Sequence, residues 1–532
     1  MALNLRAPVQ PQRQAQSKSY TFPAPTKGWI VSENLALAKP GGARLLENWF
    51  PTTTGIRLRG GSQLHATIST GPVLRQFTYK SGTTEKFFAS DATNIFNITA
   101  PADPEVIPTA DVTGQTSGYY STAMFGTAGG NYMYAVNGTD SAKLYDGTTW
   151  TTITGVSAPI AITGVTTANL SFVWPFSSHL WFVEKNTMNA WYLPVDSVGG
   201  AATKFSLAGV FQEGGSLLFG GKWSLDAGNG LDDKIVFFSD QGEVAVFNGT
   251  TPAETTTWSK VGIYHITAPM GMNGTMNAGG DLLIATEDGL VPISEAVNKD
   301  VAALNLSAIS RQIEPEWKRE VIARRTLPWE IIKWPSNNMM IVSLPVPDAG
   351  INPYCFVANL ETGAWAKYTN WETRSLCLFD NFGYFGNNTG QVFKMEVGGS
   401  DNGTPYTSTY VGQPDHLKSV GVRKIVHSAR SIFLSNVPFI AKISASVNYN
   451  ITLPTAPSSV TNFSTDEWDS ALWDVGTWDS SGSPTVSTKW VSIGKSGFSI
   501  SPQIQITSGV TPFPRTELVA FDIIYENGGV MN

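Results

Sequence analysis

The chain has 532 residues, enough for three or four domain-sized units. Charged residues make up 14% of it, well below the roughly 25% of ordinary globular proteins, and aromatic residues make up 11%. That aromatic content excludes a disordered chain. The formal net charge of -7 excludes a generally basic nucleic-acid wrapper, because phosphate neutralisation needs an excess of Lys and Arg.

Cysteine content and apolar patterning predict where the protein is made. Cys355 and Cys377 are its only cysteines, so the chain allows at most one disulfide, and whether the two pair stays open. Residues 1–15 lack the apolar core of a signal peptide, and no stretch approaches the 18 apolar residues of a membrane span. We therefore expect synthesis in the cytosol and no membrane span.

Residues 1–40 are predicted to be an extended N-terminal arm. The segment is rich in Pro, and the cations Arg6, Arg13, Lys18 and Lys27 precede its first acid, Glu33. Such a composition cannot build a core of its own, so the arm is expected to order only against another surface. A disordered tail is the alternative.

Residues 41–403 predict an all-β unit, because short β-rich runs alternate with Gly, Asn and Asp while helical periodicity is nearly absent. A similar turn sequence containing Gly precedes Trp150, Trp258 and Trp365, which are 108 and 107 residues apart. Two units of about 54 residues match the ~50-residue blade of kelch-type propellers. We predict a β-propeller of five to eight blades, with a stack of β-sandwiches as the alternative. The clearest strands are Glu85–Ile98, Tyr132–Val136, Leu180–Val183, Ile235–Phe238, Leu282–Thr286, Met339–Val342 and Cys377–Phe385.

One segment breaks the β pattern, at about residues 305–330. Residues 315–325 begin with Pro in the first helical turn and end with two Arg residues. Eleven residues are too few for an isolated helix, so this helical insertion is expected to dock through Trp317.

Residues 404–532 change to longer alternating strands and predict a C-terminal β-sandwich-like domain. Within it, the loop 466–479 carries Trp468, Trp473 and Trp478 at a five-residue spacing that fits neither helix nor strand. We interpret these residues as distal-loop or oligomer-interface candidates. Stacking on sugar rings is the alternative, because Trp beside carboxylates suits carbohydrate binding.

A search for catalytic chemistry finds no contiguous catalytic or phosphate-binding motif, and the five His residues lack metal-ligand spacing. The prediction is therefore no enzyme activity, no cofactor and no metal. Asp146 and Trp150 resemble part of the Asp-box of sialidase-like propellers, although the Ser two residues before the Asp is missing. A carbohydrate-binding or carbohydrate-active propeller for host-surface adsorption is thus the alternative function.

Several segments in the same order resemble the tail nozzle proteins of short-tailed bacteriophages (podoviruses), also called tail tubular protein B or packaged-DNA stabilisation proteins. These segments are residues 44–51, 55–61, 308–313 with Trp317, the three Trp residues of the 466–479 loop, and 521–529. The resemblance implies a virion structural subunit, six copies of which form a ring at the distal end of the tail. That ring continues the channel from portal and adaptor, retains packaged DNA and contacts tail fibres or spikes.

A DNA channel implies a prediction about the charge of its wall. Six subunits would carry 6 × -7 = -42 by formal count, and an acidic or neutral wall repels the duplex and keeps it centred, without sequence-specific binding. The channel-lining candidates are Asp232, Asp233, Asp240 and Glu243, which cluster around the turns of one blade. Simple surface solvation is the alternative for each of them.

Overall fold

The computed structural model describes residues 17–35, 40–224, 233–254, 256–347, 350–435, 439–459, 485–509 and 513–528. Asp232 and the Trp-rich loop 466–479 lie outside these ranges. The first strands in chain order are β1 (Lys18–Pro23), β2 (Ala43–Glu47), β3 (Trp49–Pro51), β4 (Ile56–Leu58) and β5 (Ser62–Thr67).

Antiparallel sheets then follow one another along the chain. The first two are β6 (Arg75–Ser81), β7 (Thr84–Ser90), β8 (Ile95–Asn97) and β9 (Ala110–Val112), then β10 (Ser121–Thr127), β11 (Gly130–Val136), β12 (Lys143–Tyr145) and β13 (Trp150–Thr152). The third contains β15 (Leu170–Phe176), β16 (His179–Glu184), β17 (Asn189–Tyr192) and β19 (Thr203–Ser206), beside a short parallel pair of β14 (Ile162–Thr163) and β18 (Gly200–Ala201).

Four further sheets complete the series. The fourth is β20 (Leu217–Ser224), β21 (Asp233–Ser239), β22 (Glu243–Asn248) and β23 (Ser259–His265), and the fifth is β24 (Thr275–Ala278), β25 (Asp281–Thr286) and β26 (Gly289–Pro292). Helices α1 (Ile293–Asn298), α2 (Val301–Leu304) and α3 (Glu314–Arg324) separate it from the strands β27 (Ile331–Trp334), β28 (Met339–Val342), β29 (Tyr354–Asn359) and β30 (Trp365–Thr369). The seventh sheet is β31 (Ser375–Phe379), β32 (Phe382–Gly386) and β33 (Gln391–Met395), completed by β5 from the N-terminal side.

Seven sheets of the described residues, with β27 to β30 counted as the sixth, close into a β-propeller. Strands β6, β10, β15 and β20 contact one another in turn, β20 contacts β25, β24 contacts β27, and β27 contacts β31, which returns to β6. Each neighbouring pair of sheets also shares a hydrophobic core, as between the third and fourth, where Trp181, Phe237 and Phe247 pack together. A sheet that is apolar on both faces must be covered on both, and radial closure covers them all.

The Trp repeat marks alternate blades. Trp150 begins β13, Trp258 immediately precedes β23 and Trp365 begins β30, so each lies at the start of the fourth strand of the second, fourth and sixth sheets. Two blades therefore separate successive Trp residues, which confirms the interpretation of the spacing.

The remaining strands build a β-sandwich beside the sixth blade. They are β34 (Tyr406–Gly412), β35 (Lys424–Ser435), β36 (Ala441–Val447), β37 (Thr485–Gly497), β38 (Ile500–Ser508) and β39 (Glu517–Asn527). One sheet has the order β3-β4-β39-β35-β37, with β1 on β39, and β34, β38 and β36 extend the other. Phe433 and Phe521 of the first sheet share a core with Ile443 and Ile504 of the second.

The second sheet crosses the predicted domain boundary at residue 403. Its eight strands run β27-β28-β29-β30-β2-β34-β38-β36, so the sixth blade continues into the sandwich through β2. The ion pair between Lys367 Nζ and Glu47 at 3.1 Å spans the parallel contact of β30 and β2. The division into two domains at residue 403 stays a prediction. The eight-stranded sheet contains strands from both sides of that residue.

The N-terminal arm was expected to order only against another surface, and for residues 17–35 that surface belongs to the same chain. Strand β1 pairs along its whole length with β39 of the same chain, and the Tyr20 hydroxyl donates to Asp415 at 2.8 Å. Phe22 and Trp29 are buried in the shared core. These aromatic anchors, together with the strand pairing, supply the docking energy that the Pro-rich composition alone does not indicate.

The helical segment replaces the fourth strand of the fifth blade. Trp317, through which α3 is predicted to dock, is fully buried and donates its indole N–H to the Thr286 carbonyl at 2.9 Å. Two ion pairs at four-residue spacing, Glu314–Lys318 and Glu320–Arg324, run along the helix. Helices α1 and α2 were not predicted, because 6 and 4 residues are too short for a helical period to show in the sequence.

Candidate functional site

A network of buried, hydrogen-bonded polar side chains lies where β2 and β3 meet, between the propeller and the sandwich. Asn48 joins these strands in the left-handed region, with φ of 60°, and is fully buried. Its side-chain Nδ2 donates to Thr369 Oγ1 and to the Thr407 carbonyl, both at 2.7 Å, and its Oδ1 accepts from the Thr369 backbone N–H at 2.9 Å. Asn48 therefore links β30 of the sixth blade to β34 of the sandwich.

Arg59 is the fully buried cation of this site. Its Nη1 and Nη2 donate to the two carboxylate oxygens of Asp401 at 2.9 and 2.6 Å, and its Nε donates to Asn48 Oδ1 at 2.9 Å. The guanidinium also lies over the ring of Tyr406, 3.7 Å from its centroid, and 4.8 Å from that of Trp371. We call Asn48, Arg59, Asp401, Tyr406 and Trp371 the Arg59 junction.

The pKa of Arg59 depends on its pairing with Asp401. Burial alone would lower the pKa of Arg59, but the Asp401 carboxylate outweighs it and raises the pKa above its ordinary value. A fork-shaped guanidinium suits bidentate binding of a carboxylate and stacking on aromatic rings, which a Lys could not reproduce. Because a buried ion whose partner is removed becomes very unfavourable, this pair makes the relative position of β4 and residue 401 specific.

Two neighbouring glycines allow the chain to pass through the junction. A Cβ on Gly60 would lie 2.6 Å from the Glu396 backbone, and one on Gly61 would lie 1.9 Å from the Ser400 carbonyl oxygen. Only Gly fits such approaches of backbone to backbone. The Gly60-Gly61 pair of the sequence therefore belongs to the same site as Arg59.

The predicted channel-lining acids do not form a common acidic surface. Glu243 is fully buried, and its carboxylate accepts the backbone N–H groups of Gln212 and Glu213 at 2.8 to 3.1 Å, so its assignment to a channel wall is wrong. Asp240 is partly buried, and its carboxylate accepts hydrogen bonds from the backbone N–H and the hydroxyl of Ser216. Asp233 pairs with Lys222 at 2.5 Å, which cancels its charge locally. Their turn positions in the sequence could not reveal these partners.

An open pocket of about 390 Å³ lies among β6, β10, β27 and β31, which belong to four of the seven blades. Arg75 and Lys333 are the charged residues on its wall, and Arg75 pairs with Glu330 at 2.6 Å. A pocket of this volume does not hold a DNA duplex.

Other predicted chemistry has the following outcome. Cys355 and Cys377 are separate buried free thiols, and burial raises the pKa of each to about 12. Within the described ranges, no three His, Cys, Asp or Glu side chains lie close enough together to hold a metal ion. None of the helices there combines the length and apolar character needed to span a bilayer.

Comparisons with known proteins add little beyond the fold class. No protein-family model and no curated protein matches the chain. The computationally designed protein Ika8 aligns with a TM-score of 0.34 and 11% identity, covering 63% of this chain and 100% of its own. BBS1N, solved in complex with ARL6DN, aligns with a TM-score of 0.38 and 11% identity, covering 64% and 97%. Its own sheets and their mutual contacts make the chain an all-β protein whose main unit is a β-propeller.

Proposed function

We propose that the chain is a structural subunit of the tail nozzle of a short-tailed bacteriophage. In this proposal, copies of the chain form a ring at the distal end of the tail, where they surround the DNA channel, retain the packaged genome and contact tail fibres or spikes. The adaptor ring of the tail is the partner on the opposite side. The protein itself carries out no reaction.

The observation that carries the proposal concerns the segments that resemble nozzle proteins. They are far apart in the sequence, yet Leu46, Ile56, Ile313, Trp317 and Phe521 share one hydrophobic core. A chance scatter of short matches has no reason to meet in space. The resemblance is therefore best understood as that of one structural unit, which joins the fifth and sixth blades to the sandwich.

In this proposal, the DNA passage lies between copies of the chain rather than within one copy. A ring of identical subunits produces such a passage by closed rotational symmetry. The Arg59 junction would keep propeller and sandwich in a fixed orientation within each copy, as a ring that retains packaged DNA requires.

The proposal predicts that the chain completes particles that lack it. DNA-filled particles that carry the adaptor but no nozzle should bind the purified chain, and their DNA should then become resistant to release and to nuclease. Heat-unfolded chain serves as the control. Failure of the folded chain both to bind and to protect DNA would contradict the proposal.

A further inference from the structure

A pocket of about 460 Å³ lies between the sixth blade, the seventh blade and strand β4. Its wall contains three aromatic rings, two side-chain amides and one guanidinium: Trp334, Phe382, Phe513, Asn337, Asn381 and Arg57. Ligand pockets are typically found at such boundaries, with mostly apolar walls and a few polar groups that converge on the ligand.

Two hairpin turns hold the pocket in shape. The β27–β28 turn supplies Asn337, and the β31–β32 turn supplies Asn381 in the left-handed region, with φ of 61°. Trp334 Nε1 donates to the Asn381 carbonyl at 2.8 Å and so ties one hairpin to the other. Gly383 permits this contact, because a Cβ there would lie 2.9 Å from the Trp334 ring. The wall is thus built before any ligand arrives.

The two charged side chains that line the pocket, Arg57 and Glu396, pair with each other. Arg57 Nη1 donates to Glu396 Oε2 at 2.8 Å, and the Glu396 side chain is only 3% exposed. Burial alone would lower the pKa of Arg57, but Glu396 outweighs this and raises it, so the Arg57 guanidinium stays charged beside its partner. Glu396 also has a φ of 56°, an unusual conformation for Glu. A compensated guanidinium disfavours a ligand that carries a net charge.

Several polar groups in the wall remain available. The side-chain amides of Asn337 and Asn381 have no hydrogen-bond partner among the described residues, and Arg57 uses only Nη1 within them, for Glu396 and the Leu58 carbonyl. Phe382 is 37% exposed, and Lys394 Nζ covers one face of its ring at 3.3 Å from the centroid. An exposed aromatic ring therefore stands beside unused amide and guanidinium N–H groups.

We propose that this pocket binds the ring of a neutral sugar. An aromatic face takes the apolar C–H face of a pyranose, while amide and guanidinium groups pair with its hydroxyls. The volume lies within the range of about 300–1,000 Å³ found for small-ligand sites. The inference does not depend on the proposed tail function, because a sugar site could serve any protein that meets a glycan.

The test uses saturation-transfer NMR on the purified full chain with glucose, galactose, mannose and N-acetylglucosamine, each titrated to tens of millimolar. At least one sugar should receive saturable transfer at its ring C–H protons, with a millimolar Kd. Phe382→Ala should weaken that binding at least tenfold, and Asn337→Ala several-fold. Phe498→Ala is the matched control, since Phe498 is also 37% exposed but lies in the sandwich.

Three results would overturn the inference. They are no saturable transfer with any of the four sugars, equal binding by the Phe382→Ala and wild-type chains, and stronger binding of glucuronate than of glucose. Circular dichroism establishes that each variant is folded, and Asn337→Ala provides the test should Phe382→Ala not fold. Ring assembly and DNA retention are measured separately, so failure here leaves the proposed function untouched.

Discussion

Replacing Arg59 by Ala tests whether the Arg59 junction fixes propeller and sandwich to each other. The substitution removes the bidentate pair with Asp401, the Nε bond to Asn48 at 2.9 Å and the stacking on Tyr406 at 3.7 Å. It also leaves the Asp401 carboxylate, whose side chain is only 13% exposed, without its cation. Breaking a buried ion pair in this way costs about 3–5 kcal/mol, a large part of a typical stability of about 5–15 kcal/mol.

The matched control is Arg325→Ala. Arg325 also pairs with a carboxylate, that of Glu287, at 2.9 Å, but the two side chains are 63% and 36% exposed, so the expected loss is only about 0–1 kcal/mol. Urea unfolding followed by tryptophan fluorescence compares the free energies of unfolding of both variants with that of wild type. Equal losses in the two variants would refute the assignment of the junction as a major stabilising contact.

Four further outcomes are expected. Trp317→Ala should lower the free energy of unfolding by about 3–5 kcal/mol in urea, because it leaves a large cavity under α3. Glu243→Gln should cost about 1–3 kcal/mol in the same assay, because its carboxylate accepts buried backbone N–H groups; no change would mean that it is not a structural acid. Burial alone would raise the pKa of Asp140, but hydrogen bonds outweigh this and lower it, so its stability contribution is present above the usual carboxyl pKa and is lost as the pH falls through the lowered one; Asp140→Asn should flatten that part of the pH–stability profile. Cys355 and Cys377, with pKa values raised to about 12, should react with a thiol reagent at neutral pH only after unfolding.

The strands that could be predicted most accurately are those buried on both faces. Ile235–Phe238 lies within β21 and Met339–Val342 coincides with β28, the second strands of their blades, and both are continuous apolar runs. Two other predicted strands each proved to be two strands. Within Glu85–Ile98, Asp91 accepts the backbone N–H of Asn94 in a turn between β7 and β8. Within Cys377–Phe385, two consecutive residues at positive φ form the turn between β31 and β32. Both turns carry polar residues, Asp91 and Asn94 in one and Asp380-Asn381 in the other, so the turn signal was present in the sequence and each predicted strand should have been divided there.

The site could not be predicted because its members are far apart in the sequence. Arg59 and Asp401 are separated by 342 residues. Arg59, Gly60 and Gly61 lie in the segment 55–61 that resembles nozzle proteins, but nothing in that segment identifies Asp401 as the partner of Arg59. The same limit explains the arm, since Thr21 binds Asp522 across 501 residues of sequence. Composition describes a segment but not the surface on which it docks.

The most direct test of the account is the mass of the purified chain, measured by mass photometry alone and after mixing with the adaptor ring of a short-tailed phage. The account predicts a closed ring, with a mass of about 344 kDa for six chains of 57.3 kDa, formed either alone or on the adaptor. A particle that remains at 57.3 kDa under both conditions would contradict the account.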